Sequence, residues 1–76
     1  MDIKAKILEF AQEGVTRYEI FHKLRMPYTQ IYRYLQFLKD IQLVEIEEAG
    51  GRQIYITTEK GRKWLSLYQQ LKELEK

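Results

Sequence analysis

The sequence predicts one small domain that is mainly helical and carries a single β-hairpin. Its 76 residues allow one domain and no second. Apolar residues recur at helical spacing through most of the chain, whereas residues 43–57 alternate between polar and apolar as strands do. Gly14, Pro27 and the pair Gly50-Gly51 fall between the predicted elements, where turns and helix ends need them.

Two helices are predicted before Pro27. The first spans residues 2–13, where apolar side chains have the spacing of an amphipathic helix: Ile3, Ile7, Leu8, Phe10 and Ala11. Gly14 suits its end, and Val15 is predicted to add one short strand bridge. Thr16 is the predicted N-cap of the second helix, because Glu19 three residues later completes a capping box. This helix ends before Pro27, which disfavours helical geometry at the preceding residue.

A third helix is predicted over residues 28–41, followed by a hairpin and a fourth helix. The buried stripe of the third helix consists of Ile31, Tyr34, Leu35 and Leu38. Strands are predicted over residues 43–48 and 53–57, joined by a glycine-rich tip at residues 49–52. The last helix spans residues 58–75, with Thr58 as its N-cap and Glu59 at its positive end.

The predicted order of elements is helix, helix, helix, strand, wing, strand, helix, which is the order of a winged helix-turn-helix. Three stretches strengthen this prediction: residues 28–35, residues 43–45 and residues 55–62, the last ending in Thr58-Glu59-Lys60-Gly61-Arg62 with Trp64 beyond it. Together they resemble the small winged-helix transcriptional regulators of archaea and their viruses, which pair through a C-terminal helix. The resemblance covers nearly the whole chain. One departure is Gln42, because such families usually have glycine ahead of the strand.

Charge is unevenly distributed along the chain. Residues 17–39 carry a local charge of +4, residues 40–50 a charge of −4 and residues 51–63 a charge of +3. The two basic segments can form one positive face only if the fold brings them together, and the alternative is ordinary surface charge.

The outward face of the third helix is predicted to read DNA. In a helix-turn-helix the second helix of the motif enters the major groove. The outward residues here are rich in hydrogen-bonding groups and poor in acid: Thr29, Gln30, Tyr32, Arg33 and Gln36. Arginine can bond both acceptors of guanine, and glutamine can bond both edge groups of adenine. Tyr28 at the start of this helix, Arg17, Arg25 and the wing-tip Arg52 complete the predicted DNA-binding set.

The last helix is predicted to join two copies of the chain. Its apolar residues follow the a/d spacing of a coiled coil: Trp64, Leu67, Leu71 and Leu74. The alternative is that these residues cover the domain's own core. Residues 1–57 are thus predicted to form the DNA-binding unit, and residues 58–76 to form a dimerisation element of the same domain. The expected partners are a second copy of the chain and double-stranded DNA whose binding site is an inverted repeat.

Several function classes find no support in the sequence. The chain has no cysteine and one histidine, so neither a metal centre nor a cofactor is expected. Gly50-Gly51 lacks the lysine and hydroxyl of a phosphate-binding loop, and the acidic residues of the hairpin fit a solvated sheet face, so no enzyme is predicted. No membrane segment, signal peptide or small-molecule effector site is expected, and a cytoplasmic location follows. A winged-helix module that docks proteins without touching DNA remains the alternative function.

Overall fold

A computed structural model describes residues 3–75 and confirms the predicted order of elements. The elements are α1 (Ile3–Phe10), α2 (Arg17–Leu24), α3 (Tyr28–Asp40), β1 (Val44–Ala49), β2 (Arg52–Thr57) and α4 (Glu59–Leu74). The two strands pair antiparallel and form the wing. The fold is therefore a winged helix-turn-helix, mainly helical with one hairpin, as predicted. Asp2, where the first helix was predicted to begin, and Lys76 lie outside the described residues.

The first helix is shorter than predicted because its last turn tightens. Residues Ala11–Glu13 form a 3₁₀ turn, and Gly14 follows with a φ of +93°, a conformation that favours glycine. The predicted bridge at Val15 is confirmed. Its N–H donates to the carbonyl of Tyr55 (3.0 Å), and the N–H of Tyr55 donates back (2.7 Å). This bridge fixes the start of α2 against the wing.

The capping box of α2 is also confirmed. The N–H of Glu19 donates to the Thr16 hydroxyl oxygen (3.1 Å), and the N–H of Thr16 donates to the Glu19 carboxylate (3.1 Å). The Thr16 N–H and the Thr16 hydroxyl, which also donates to the Glu19 carboxylate (3.2 Å), hold the pKa of the Glu19 carboxyl below its ordinary value. At the other end, α2 stops at Arg25 in the left-handed conformation (φ +51°), two residues before Pro27.

The wing turns through the two glycines. Ala49 pairs with Arg52, so Gly50 and Gly51 are the only turn residues, and both have positive φ, +58° and +79°. Positive φ at both central positions is the requirement of a type I′ turn. A tight turn of this kind makes a short wing with Arg52 at its tip.

The core holds the helix-turn-helix and the wing together. Its largest fully buried side chains come from α1, α2, α3 and β1: Ile7, Leu8, Ile20, Ile31, Leu35, Leu38 and Val44. Leu65 joins this cluster from α4, and the buried hydroxyl of Thr57 donates to the carbonyl of Leu8 (2.7 Å). Of the predicted stripe on α3, only Tyr34 is half-buried rather than buried. The elements that carry the candidate site, α2, α3 and the wing, are therefore held in place by this shared core.

The start of α4 clamps the turn between α3 and β1. The Thr58 hydroxyl donates to the carbonyl of Gln42 (2.7 Å), and the Lys60 ammonium donates to the carbonyl of Ile41 (3.0 Å). Gln42 itself has a φ of +65°, which explains why the similar regulators place glycine there. Gly61 is buried against this turn, and a Cβ atom on it would overlap the carbonyl oxygen of Leu43. The segment that most resembles those regulators, residues 58–62, thus packs the start of α4 against the turn between α3 and β1.

Within residues 3–75, no helix is both long enough and apolar enough to cross a membrane.

Candidate nucleic-acid interface

The outward face of α3 is fully presented to solvent. All five residues predicted for it are exposed in the structure: Thr29, Gln30, Tyr32, Arg33 and Gln36. On the opposite side of the helix, Ile31, Leu35 and Leu38 are buried in the core. The helix can therefore offer hydrogen-bonding side chains without moving, because packing fixes its axis and rotation.

Arg17 links the start of α2 to α3. Its guanidinium carbon lies 5.9 Å from the centre of the Tyr28 ring and 5.8 Å from that of Tyr32. Both distances are those of cation–π contacts. Tyr55 of β2 lies behind this group. Burial raises the pKa of the Tyr55 hydroxyl, and the nearby positive charge of Arg17 acts in the opposite direction. Arg17 is thus held in place by two tyrosines of α3.

A shallow hollow joins α2, α3 and the wing. The residues that line it come from the start of α2, the start of α3 and the hairpin tip: Thr16, Arg17, Tyr18, Glu19, Tyr28, Glu48, Gly51, Arg52 and Gln53. The fold therefore brings together Arg17, Tyr28 and Arg52, which lie far apart in sequence. The two basic segments do meet at this point, on either side of the hollow.

Carboxylates moderate the charge of the hollow. Glu19 and Glu48 line it together with the arginines, and Arg52 is close enough to contribute to lowering the pKa of Glu19. The capping box already engages Glu19 and two backbone N–H groups at the start of α2. A phosphate at this position would therefore meet the Arg17 side chain rather than a free helix end. Among residues 3–75, no three histidine, aspartate or glutamate side chains are grouped to hold a metal ion.

Arg25 lies apart from the other predicted residues. It is exposed at the end of α2 and borders a second hollow with Phe21, His22, Met26 and Pro27. The structure thus does not place Arg25 in the hollow that contains Arg17 and Arg52.

Two residues that line the hollow were not predicted from the sequence as site residues. Tyr18 is 68% exposed, the largest value among the tyrosines of residues 3–75, and Gln53 borders the hollow from β2. Tyr18 could have been predicted from its position on the polar side of α2, four residues before His22. Gln53 gave none, because alternation along a strand does not reveal what its outward face meets.

The predicted seam on α4 divides into two parts. Leu67, Leu71 and Leu74 are 60%, 59% and 82% exposed, so within residues 3–75 they pack into no core. Trp64 is half-buried against the core, and its ring stacks on that of Tyr68 with centres 5.5 Å apart. The leucines continue the line that Trp64 begins and leave an apolar stripe on the surface.

Known proteins provide the comparison for this fold. A family model for the winged helix-turn-helix matches residues 1–76. No curated protein sequence matches the chain significantly. Among solved structures, a mutant of ZitR from Lactococcus lactis superposes with a TM-score of 0.72 at 24% identity, over 93% of this chain and 59% of that one.

Two further structures show the same fold. AF1382 from Archaeoglobus fulgidus superposes with a TM-score of 0.76 at 20% identity, over 97% of this chain and 84% of that one. A ZitR mutant solved in complex with DNA superposes with a TM-score of 0.70 at 23% identity, over 93% of this chain and 59% of that one. The chain spans 59% of the length of the ZitR chains in these two matches. Since the family model covers all 76 residues, the chain belongs to the winged helix-turn-helix family.

Proposed function

We propose that the chain is a sequence-specific regulator of transcription that binds double-stranded DNA with α3 in the major groove. The observation that carries this proposal is the outward face of α3, where every exposed residue predicted to read bases offers a hydrogen bond or a ring and none is acidic. A ZitR structure of the same fold is a complex with DNA, which supports the proposal. We expect no catalytic activity, cofactor or small-molecule effector.

The roles of the residues follow from their chemistry. Arg33 is the best candidate for a bidentate contact with guanine, and Gln30 and Gln36 for contacts with adenine. Thr29 and the tyrosine hydroxyls of Tyr28 and Tyr32 suit phosphates. Arg17 would neutralise a phosphate at the edge of the groove, and Arg52 would reach the adjacent minor groove from the wing. For Arg25 we propose a phosphate farther along the backbone.

A protein-docking module is the competing function. An acidic or apolar outward face on α3 would have favoured it, and neither is present. A gel-shift titration at several salt concentrations separates the two functions, because phosphate contacts give a steep dependence of affinity on salt. A docking module would show no such binding.

We further propose that two copies assemble through residues 58–76. Two exposed leucine stripes that cover each other would remove apolar surface from water. A symmetric dimer presents two copies of α3, which read half-sites about 34 Å apart in an inverted repeat. Occupancy of such a site can block transcription without an effector, so repression in the cytoplasm of an archaeal or archaeal-virus host is the role we propose.

Replacing Arg33 tests base reading. We expect Arg33→Ala to weaken binding to the preferred site by about 1–3 kcal/mol and to relax selectivity at one base position. Lys39→Ala removes an exposed charge farther along the same helix and is the matched control. Titration of both variants against preferred and random duplexes makes the comparison. Equal losses on both duplexes would reassign Arg33 to the phosphate backbone.

Replacing Arg17 tests the phosphate contact. We expect Arg17→Ala to weaken all sequences alike and to lower the slope of log affinity against log salt by about one. Arg17→Lys keeps the charge but loses the guanidinium that contacts two tyrosine rings, so it should retain the slope. A slope that is unchanged in Arg17→Ala would remove this residue from the interface.

A further inference from the structure

A strip of aromatic rings, bridged at one point by a guanidinium, crosses the outer surface of α2 and α3. The rings of Tyr18 and His22 lie 4.4 Å apart, those of His22 and Phe21 5.9 Å, and those of Phe21 and Tyr28 6.1 Å. The guanidinium of Arg17 then joins Tyr28 to Tyr32. We call these five rings the aromatic strip.

The strip is open to solvent along most of its length. Tyr18, Tyr28 and Tyr32 are 68%, 46% and 45% exposed, and His22 is exposed as well. Phe21 alone is half-buried. Three of the four exposed tyrosine and phenylalanine side chains of the described residues thus lie on one surface, since Phe37 is the fourth.

Each part of the strip has an arginine beside it. Arg17 and Arg52 share a hollow with Tyr18 and Tyr28, and Arg25 shares the second hollow with Phe21 and His22. Glu19 is the acidic residue nearest in sequence to Arg17 and Tyr18. Its carboxylate accepts hydrogen bonds within the capping box. Cations spaced along a row of rings match a chain of nucleotides, which alternates phosphates with flat bases.

We propose that the aromatic strip binds single-stranded nucleic acid by stacking on unpaired bases, while the three arginines contact its phosphates. Bases in a duplex are stacked on one another and expose only their edges, so the ring faces of Tyr18 and His22 have no counterpart there. Unpaired bases offer such a counterpart regardless of sequence. This activity goes beyond duplex reading, although it shares the three arginines, Tyr28 and Tyr32 with it.

Fluorescence anisotropy with labelled 20-residue oligo-dT and oligo-U, beside a 20-base-pair duplex, tests the proposal. We expect both single strands to bind the unmodified chain at 100 mM salt. Tyr18→Ala should weaken single-strand binding about fivefold or more, which is the low end of the effect of losing one stacked base. Tyr18→Phe should retain the affinity for single strands. Tyr18→Ala should weaken duplex binding less than single-strand binding, because bases in a duplex offer the Tyr18 ring no face to stack on. Phe37→Ala is the matched control, since Phe37 is 44% exposed but lies off the strip under Lys4.

Two results would overturn the proposal. One is the absence of single-strand binding at protein concentrations tenfold above those that saturate the duplex. The other is single-strand binding that Tyr18→Ala and Phe37→Ala weaken equally. Neither result affects duplex recognition, whose own failure would appear as loss of duplex binding with the single-strand arms intact. Tighter binding of oligo-dT or of oligo-U would support the proposal and identify DNA or RNA as the preferred strand.

Discussion

Leu71→Glu should convert the proposed dimer into a monomer and weaken DNA binding far more than the loss of any one DNA contact. Leu71 lies in the middle of the exposed leucine stripe. In the proposed dimer, a carboxylate there would be buried opposite the same residue of the second copy. A monomer contacts one half-site only, so the contribution of the second half-site is lost. Sedimentation equilibrium of both proteins, together with duplex titration, measures the two effects.

Gln69→Glu is the control for Leu71→Glu. It places the same charge on an exposed position of α4, two residues away and off the stripe. We expect it to remain a dimer and to bind DNA as the unmodified chain does. An unmodified chain that is monomeric at tens of micromolar would refute the dimer and leave Trp64 as a core residue only.

Gly61→Ala should lower the free energy of unfolding by about 1–3 kcal/mol, as forcing a methyl group into a packed core does. The new methyl group would overlap the backbone carbonyl oxygen of Leu43 and lie 2.7 Å from Cγ2 of Thr57. The carbonyl cannot simply turn away, because it accepts a hydrogen bond from the N–H of Thr58 (3.0 Å). In a domain of this size such a loss lowers the Tm by several degrees per kcal/mol.

Ser66→Ala separates this steric effect from helix propensity. Ser66 is exposed on the same helix, so alanine there should leave the stability unchanged or raise it slightly. Thermal and urea unfolding of both variants provide the comparison. Equal stability of Gly61→Ala and the unmodified chain would show that α4 does not pack closely on the turn after α3.

Periodicity and capping chemistry were sufficient to predict the fold. The capping box at Thr16 and the glycine turn of the wing depend on residues close in sequence, and both are confirmed. The bridge at Val15 is confirmed as well, although its partner Tyr55 lies forty residues away. The error at the end of the first helix is of the same local kind, because spacing alone does not separate an α-helix from a final 3₁₀ turn. Helical spacing did not predict the close packing of Gly61, since its tight contact is with Leu43, eighteen residues earlier.

The candidate site was only partly predictable for the same reason. The outward residues of α3 follow from helical spacing, and the structure exposes all of them. The hollow, in contrast, depends on how the wing folds back towards α2, which no local pattern encodes. The contact of Arg17 with Tyr28 and Tyr32, the separation of Arg25 from it and the presence of Tyr18 all arise from tertiary packing.

Selection of bound duplexes from a random DNA pool tests sequence-specific recognition most directly. The unmodified chain should enrich an inverted repeat whose half-sites lie about one DNA turn apart, and Arg33→Ala should lose the preference at one position in each half-site. Recovery of a pool indistinguishable from the starting sequences would contradict sequence-specific reading of duplex DNA by α3.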